Sequence, residues 1–341
     1  MPKTIYLHIG AHRTGSTAIQ AYFSGHRQDF LASGLLYPLA GIPPNLTGHH
    51  YVPWLFRRQK NVPALAADSV RTLRREIQES EADSVLISSE DLEEHSFPIG
   101  EIVKELELDR YRCVIVLFIR RQDDLIASAY ASRVKQGRYI VSLRNFVEAQ
   151  LKRRRGDFHA LLTAWRRALR HAELRTVNYS DPTIASSSVS ALCQLLEVAI
   201  PAESKAASRR TNISIHPIYL PFLNFLNSAV GDSTEYRRKM IIEPLVQLSA
   251  QARRKSVRHY IIEPTQRARI MEAFQKSNAM LADEFLGGVP PFGFDKSEYG
   301  GAVHIDPDTV QLSSIVELFR ALRNTSAVDA KTSTESGSGD A

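Results

Sequence analysis

"LHIGAHRTGST" (Leu7 to Thr17) decides the fold, because this short glycine-containing loop joins two different sequence patterns. The apolar, β-branched stretch at 3–9 is typical of a buried strand. The stretch at 16–33 has apolar residues at helical spacing, and it begins with hydroxyl residues that suit a first helical turn. We therefore predict a strand, a loop and a helix in direct succession at the start of the chain.

The alternation of strands and helices continues along the chain. Further strands are predicted at 84–90, 111–120 and 173–179, with helices between them. The run at 111–120 is almost entirely apolar, which is typical of a parallel strand covered on both faces. This order predicts an α/β fold with a parallel sheet flanked by helices. From about residue 201 the pattern is mostly helical, and we predict one domain over 1–323 and a small, polar, disordered tail over 324–341.

Composition limits the function classes. The chain has 341 residues, 43% of them hydrophobic, which is enough for a substantial core. A net charge of +6 favours anionic partners such as nucleotides or acidic glycans. The sequence has no RNA-binding signature or zinc-finger spacing, so nucleic acid is not expected. Its two cysteines indicate no disulfide framework. Neither a signal peptide nor an apolar run of roughly 18 residues is found, so we expect a cytoplasmic protein without a membrane span.

The loop has the features of a phosphate-binding loop. Gly10 and Gly15 lie five residues apart between a strand and a helix. Glycines let backbone N–H groups turn toward one anion, and the start of the helix adds a partial positive charge. Arg13 supplies a cation, and hydroxyl groups come from Thr14, Ser16 and Thr17. Ser16 stands where nucleoside-triphosphate loops have lysine, so this loop suits a metal-chelated triphosphate less well.

A second constellation follows the strand at 111–120. Arg120 lies at its carboxyl end, and Ser128 comes eight residues later in "RRQDDLIASAY". Ligands of open α/β sheets bind at this edge, and an arginine there can hold a phosphate with two hydrogen bonds. The two motifs together resemble those of sulfotransferases that use PAPS (3′-phosphoadenosine 5′-phosphosulfate), in the His-x-Gly-x-His-Lys/Arg-Thr-Gly-Ser/Thr-Thr form of bacterial members. The resemblance covers roughly 3–295.

This resemblance implies a P-loop-like sulfotransferase fold that moves a sulfuryl group from PAPS to an acceptor hydroxyl and releases PAP (3′-phosphoadenosine 5′-phosphate), with no metal. The 5′-phosphosulfate would be held by the first motif, by Arg13, Thr14, Gly15, Ser16 and Thr17. Arg120 and Ser128 would hold the 3′-phosphate. Arg210, with Asn212, is a candidate to close over the nucleotide. The stretch lacks the family's Arg-Lys-Gly form, so Arg209 and Arg210 equally fit a solvated basic surface.

The reaction needs a base for the acceptor proton. Glu90 ends the strand at 84–90, at the same sheet edge as the loop, and it is the candidate base. The alternative for Glu90 is an ordinary surface or helix-start carboxylate, and three histidines remain as other bases, His12, His49 and His50. Arg13 would stabilise the leaving oxygen.

The acceptor and the reaction class leave alternatives open. Basic and aromatic residues in 40–62 and 133–155 favour a carbohydrate or glycoconjugate acceptor, which can be acidic. The run "KRRR" at 152–155 fits a solvated helix end better than a binding site. One rival function is a P-loop nucleotide kinase or phosphotransferase using ATP and Mg²⁺, with Asp91 on the metal. The other is a non-catalytic module that binds a nucleotide or a glycan. No spacing in the sequence matches a closed metal site.

Overall fold

The structure is a computed structural model that describes residues 3–56, 62–93, 98–137, 142–201, 214–230, 241–253 and 257–310. The chain divides into two compact units, and the division first falls after Leu125, inside the helix Gln122–Lys135. The first unit holds 1–125, 154–212 and 271–294, and the second holds 126–153, 213–270 and 295–341. The predicted domain over 1–323 stays a prediction, and the tail at 324–341 lies outside the described residues.

A five-stranded parallel sheet forms the centre of the first unit. Its strands are β1 (Thr4–His8), β2 (Leu35–Leu36), β3 (Ser84–Ser88), β4 (Arg112–Ile119) and β5 (Glu173–Asn178). They lie in the order β2-β3-β1-β4-β5, and each neighbouring pair is parallel. His8, at the end of β1, lies opposite Ser88 on one side and Val116 on the other. The carboxyl ends of the central strands therefore meet at one edge, and the predicted α/β class with a parallel sheet flanked by helices is confirmed.

The apolar run of β4 is buried on both faces, as predicted. Cys113, Ile115 and Leu117 belong to one hydrophobic cluster, while Val114 and Phe118 belong to another. Successive side chains of a strand point to opposite faces, so an unbroken apolar run needs a core on each side.

The helices of the first unit cover these two faces. Their bounds are Ser16–Gly25, Arg27–Ala32, Tyr51–Trp54, Val62–Glu79, Ile99–Glu105, Phe158–Ala168, Pro182–Ser186, Ser188–Leu196 and Gln275–Phe285, with 3₁₀ turns at Glu90–Glu93 and Leu108–Arg110. The predicted helix at 16–33 is two helices, because His26 has a non-helical φ of −115°. The stretch 40–62, whose basic and aromatic residues were noted in the sequence, contains the short helix Tyr51–Trp54.

The second unit is mostly helical in its described residues, as the sequence predicts. It contains the helices Leu143–Lys152, Leu220–Val230 and Glu243–Ala252, most of Pro264–Ala273, and 3₁₀ turns at Pro217–Tyr219 and Lys296–Tyr299. The exception is a parallel pair of two-residue strands, β6 (His259–Tyr260) and β7 (Val303–His304). Across the part of the chain that the structure describes, no helix is long and apolar enough to cross a membrane.

Candidate active site

The loop between β1 and the helix Ser16–Gly25 turns sharply at three residues. Gly10 and Gly15 both have φ of 87°, and Arg13 has φ of 70°. Residues other than glycine rarely adopt this left-handed backbone conformation, because it costs them about 1–2 kcal/mol per residue. A Cβ atom added at Gly15 would also lie 2.5 Å from the Oγ of Ser188. This path of the loop therefore depends on glycine at position 15.

Two hydroxyl groups of the loop act within it. Thr14 is fully buried, and its Oγ1 donates to the carbonyl oxygen of Ala11. The Oγ of Ser16 donates to the same carbonyl at 3.3 Å. The exposed Thr17 begins the first helical turn with Ser16. The hydroxyls of Thr14 and Ser16 thus hold the loop closed, and the predicted contacts of all three with a 5′-phosphosulfate stay predictions.

Arg120 joins the end of β4 to this loop. Its Nη1 donates to the carbonyl oxygen of Arg13 at 2.8 Å, and its guanidinium lies 5.7 Å from the ring centre of Tyr179. The next residue, Arg121, is buried instead, and its Nε lies 2.8 Å from the Oδ1 of the fully buried Asp123. Arg120 thus contacts the loop, while Arg121 is paired with a buried carboxylate.

Positive charge is concentrated around Arg13. Burial lowers the pKa of Arg13 below its ordinary value, and the nearby charges of Arg120 and Arg155 lower it further. Bringing like charges together in a partly desolvated place costs free energy. An anion bound among them would offset that cost, so the cluster has the electrostatics of an anion-binding site.

Glu90 lies beside the loop and is held by two neighbours. The Nε2 of Gln20 donates to its Oε2 at 2.6 Å, and the Nε2 of His50 lies 3.9 Å from the same oxygen. Gln20 is almost fully buried and also donates to the Oγ of Ser88 at 3.3 Å. A Cβ atom added at Gly10 would lie 2.8 Å from the Cα of Glu90, so glycine there permits this close approach. The role of Glu90 as a base stays a prediction.

The three candidate histidines have different surroundings. His49 is fully buried, with its Nδ1 accepting from the backbone N–H of Ser88 at 3.1 Å and its Nε2 3.2 Å from the carbonyl oxygen of Pro38. Burial lowers the pKa of His49 to about 3. Its ring is therefore neutral near pH 7, and both nitrogens are engaged, which is the arrangement of a structural histidine.

His50 and His12 lie closer to the acidic groups. The Nδ1 of His50 lies 2.9 Å from the Oγ of Ser89, which leaves its Nε2 on the side of Glu90. The Nε2 of His12 lies 3.4 Å from the Oδ1 of Asp91. Both rings therefore lie near the loop and its acidic neighbours, and their roles as alternative bases stay predictions.

Asp91 is engaged with nitrogen donors. Its Oδ2 accepts from the Nε1 of Trp54 at 2.6 Å, while His12 approaches its other oxygen. Within the described ranges, no group of three or more His, Cys, Asp or Glu side chains is arranged to hold a metal ion.

Glu93 connects the loop to an arginine that the sequence did not single out. One of its oxygens accepts from the backbone N–H of His12 at 2.9 Å, and the other accepts from the Nη2 of Arg155 at 2.9 Å. The run 152–155 was expected to be a solvated helix end, and Arg153 and Arg154 are indeed exposed, but Arg155 is half-buried. No local pattern distinguishes the fourth residue of a basic run, because its partner is 62 positions away.

No described contact joins two of the predicted site residues, Ser128 and Arg210, to the loop and its neighbours. Ser128 lies half-buried in the helix Gln122–Lys135, on the part that belongs to the second unit. Arg210, together with Arg209 and Asn212, lies outside the described residues. Their predicted contacts with the nucleotide stay predictions. Gln20 is another residue that was missed from the sequence, and its signal was a polar side chain on the apolar face of the first helix, next to Ile19 and Phe23.

Comparison with known proteins gives little additional information. No known protein family matches the chain, and no similar sequence was found among curated proteins. Among solved structures, the chain is similar to a sulfotransferase from Alicyclobacillus acidocaldarius, with 16% sequence identity and a TM-score of 0.36. That similarity covers 71% of this chain and 96% of the other. At this TM-score it carries no argument about function, which rests on the geometry of the loop and its neighbours.

Proposed function

We propose that this protein is a PAPS-dependent sulfotransferase that transfers a sulfuryl group to a hydroxyl of a carbohydrate or glycoconjugate. The observation that carries the proposal is the hydrogen bond from Arg120 to the carbonyl oxygen of Arg13. It joins the two sequence motifs that a PAPS site requires, although they are 107 positions apart. The enzyme is further proposed to be bacterial and cytoplasmic, on the resemblance of its motifs.

The donor groups of the loop fit a nucleotide that carries phosphates at two ends. The helix Ser16–Gly25 has Gly15 as its N-cap and no side-chain cap, so its first backbone N–H groups suit an anion. Arg13 would bind the 5′-phosphosulfate with Thr14, Gly15, Ser16 and Thr17. Arg120, with Ser128 and Arg210, would bind the 3′-phosphate.

The proposed chemistry needs two acting side chains. Bound PAPS would supply a sulfuryl group that is activated by a phosphate leaving group. Glu90 would accept the proton of the acceptor hydroxyl as the new oxygen–sulfur bond forms, a role that typically contributes about 10²–10⁴-fold to the rate. Gln20 orients the Glu90 carboxylate, and Arg13 would stabilise the negative charge that develops on the leaving oxygen.

One observation disfavours the kinase alternative. A kinase of the P-loop class would need Asp91 free to coordinate Mg²⁺, whereas its carboxylate accepts from Trp54 and lies against His12. The non-catalytic alternative is disfavoured by the close approach of a carboxylate to the loop, which binding alone does not require.

Calorimetric titration tests the nucleotide class directly. Wild type should bind PAP without Mg²⁺ and should bind ATP much more weakly with or without Mg²⁺. Arg120→Ala should weaken PAP binding by about 10- to 100-fold, because a charged hydrogen bond contributes about 1.5–3 kcal/mol. Arg153→Ala removes the same charge at an exposed position and serves as the control. Tight Mg²⁺-dependent binding of ATP, with no binding of PAP, would overturn the sulfotransferase proposal.

A further inference from the structure

We infer that Arg155 binds an anionic group of the acceptor, so that the preferred acceptor carries a carboxylate or a sulfate near the hydroxyl that is modified. This inference rests on the proposed function. It assigns a role to Arg155, the last arginine of the basic run at 152–155, which is neither one of the proposed phosphate ligands nor one of the two side chains that act in the proposed chemistry.

The position of Arg155 is fixed by a short chain of hydrogen bonds. Its Nη2 donates to the Oε1 of Glu93, and the Oε2 of Glu93 accepts from the backbone N–H of His12, both at 2.9 Å. His12 directly precedes Arg13 in the loop. One carboxylate therefore holds Arg155 beside the proposed sulfuryl-binding residue.

The same contacts place Arg155 on the side of the base. Glu90 and Glu93 are the first and last residues of one 3₁₀ turn. Residues three apart in a 3₁₀ helix lie one above the other, so the two carboxylates leave the turn on the same side. The base must contact the acceptor hydroxyl, and a group held by Glu93 is therefore near the acceptor. The 3′-phosphate is assigned to Arg120, which reaches the loop from the other neighbouring strand, β4.

Arg155 retains donors for a second acceptor. A guanidinium has five N–H donors, and Glu93 engages one nitrogen. The buried Nε of Arg155 has no hydrogen-bond partner within the described residues. A buried donor without a partner calls for an explanation, and an ion or ligand group is one of the usual ones. The charge of Arg155 also lies near enough to Arg13 to lower the pKa of that side chain.

The ligand class follows from the donors. A planar guanidinium binds carboxylates and sulfates through paired hydrogen bonds, and it discriminates strongly against a neutral group in the same place. A uronic acid or an already sulfated sugar meets this requirement, while a neutral hexose does not. Arg155 would thus act as a specificity residue that selects among hydroxyl compounds.

Paired acceptors test the assignment. Methyl β-D-glucuronide and methyl β-D-glucoside differ at the carboxylate, and the ratio of their kcat/KM values with PAPS measures anion preference. We expect wild type to prefer the glucuronide by about 10- to 100-fold, as one charged hydrogen-bond pair allows. Arg155→Ala should remove most of this preference, Arg155→Lys should keep part of it, and the exposed control Arg153→Ala should keep all of it.

Three outcomes overturn the inference. They are no glucuronide preference in wild type, an equal loss on both acceptors in Arg155→Ala, and a fall in PAP affinity as large as that caused by Arg120→Ala. An equal loss on both acceptors would mean that Arg155 only supports the loop through Glu93.

A binding measurement separates this inference from the proposed function. If PAP does not bind, or if neither acceptor is sulfated, the binding of methyl β-D-glucuronide is measured by ligand-observed NMR. Glucuronide binding that Arg155→Ala abolishes and Arg153→Ala preserves supports the anion site even when the sulfotransferase proposal fails. Undetectable binding, or binding that Arg155→Ala leaves unchanged, overturns the anion site.

Discussion

Arg120 donates from its Nη1 to the carbonyl oxygen of Arg13 at 2.8 Å, and so connects the end of β4 to the most strained non-glycine residue of the loop, whose φ is 70°. The contact orients one arginine while it fixes the backbone of another. The described partners of Arg120 are this carbonyl and the Tyr179 ring, and neither carries a formal charge. Its own charge is thus left for an anion.

Replacing Arg120 by lysine should weaken PAP binding although the charge is kept. A lysine ammonium is a point charge without the planar fork of arginine, so it cannot hold the Arg13 carbonyl and a phosphate in the same geometry. We expect a loss of about 10-fold in PAP affinity, measured by calorimetry, in line with the strength of one charged hydrogen bond. Arg110→Lys, at an exposed arginine of the same unit, should leave the affinity unchanged. Equal affinities for the Arg120→Lys variant and wild type would show that only charge matters at this position.

Glu90→Gln should reduce turnover much more than nucleotide binding. The amide keeps the shape of the side chain but cannot take the acceptor proton, so kcat should fall by about 10²–10⁴-fold. The PAP affinity should change by less than about twofold, because the proposed phosphate ligands are on other residues. Both quantities are measured on the same preparation.

His50→Gln is the matched variant for this comparison, since His50 approaches the same Glu90 oxygen at 3.9 Å. We expect it to lower kcat less than Glu90→Gln does. The reverse order would assign the base to His50 and leave Glu90 as the group that orients it.

Gly10→Ala should destabilise the protein and impair turnover. The φ of 87° at Gly10 costs a side chain about 1–2 kcal/mol, and the new Cβ would overlap the backbone of Glu90 at 2.8 Å. Overpacking of this kind typically adds about 1–3 kcal/mol. We therefore expect urea unfolding to give a loss of about 2–5 kcal/mol, together with a lower kcat because Glu90 is displaced.

Gly25→Ala is the control for this experiment, because an added Cβ at Gly25 meets no atom within 4 Å. Gly25 is the last residue of its helix, where alanine is the better helix former. The free energy of unfolding of the Gly25→Ala variant should equal or slightly exceed that of wild type. Similar losses for both variants would contradict the close-approach argument.

The sheet could be predicted from the sequence because its signals are local. The apolar run of β4 indicates burial on both faces of the sheet. The glycines of the first loop indicate positions of positive φ. Gly10 and Gly15 were singled out on this basis, whereas Arg13 was singled out as a cation and its positive φ was not predicted. The parallel pairing could also be predicted, because strands that alternate with helices have the crossover connections that parallel strands need.

The partners within the site could not be predicted in the same way. Gln20 meets Glu90 across 70 positions, and Arg155 meets Glu93 across 62. Such pairs depend on how helices and turns pack on the sheet edge, which no short stretch of sequence encodes. His49 shows the same limit: the sequence left it as an alternative base, whereas both its ring nitrogens are used by the backbone.

Two fully buried histidines should make the protein less stable in acid. Burial lowers the pKa of His8 to about 4 and that of His49 to about 3. Both values lie below the ordinary histidine pKa of about 6.5. At a pH between the lowered pKa and the ordinary pKa, the unfolded chain therefore binds more protons than the folded one. Stability should therefore be fully present above about pH 6.5 and should fall as the pH drops toward 4.

The size of this effect can be isolated at His8. The lowered pKa of His8 should reduce the free energy of unfolding by up to about 2 kcal/mol at pH 5, relative to neutral pH. His8→Leu removes the group, whose Nε2 has no partner among the described residues, so its unfolding free energy should fall less steeply than that of wild type from pH 7.5 to 5. The exposed His171→Gln should follow the wild-type curve. A neutral buried imidazole takes up a proton when the chain unfolds in acid, and this uptake steepens the fall of the unfolding free energy. If wild type and His8→Leu show parallel curves of unfolding free energy against pH, His8 is already protonated in the folded protein.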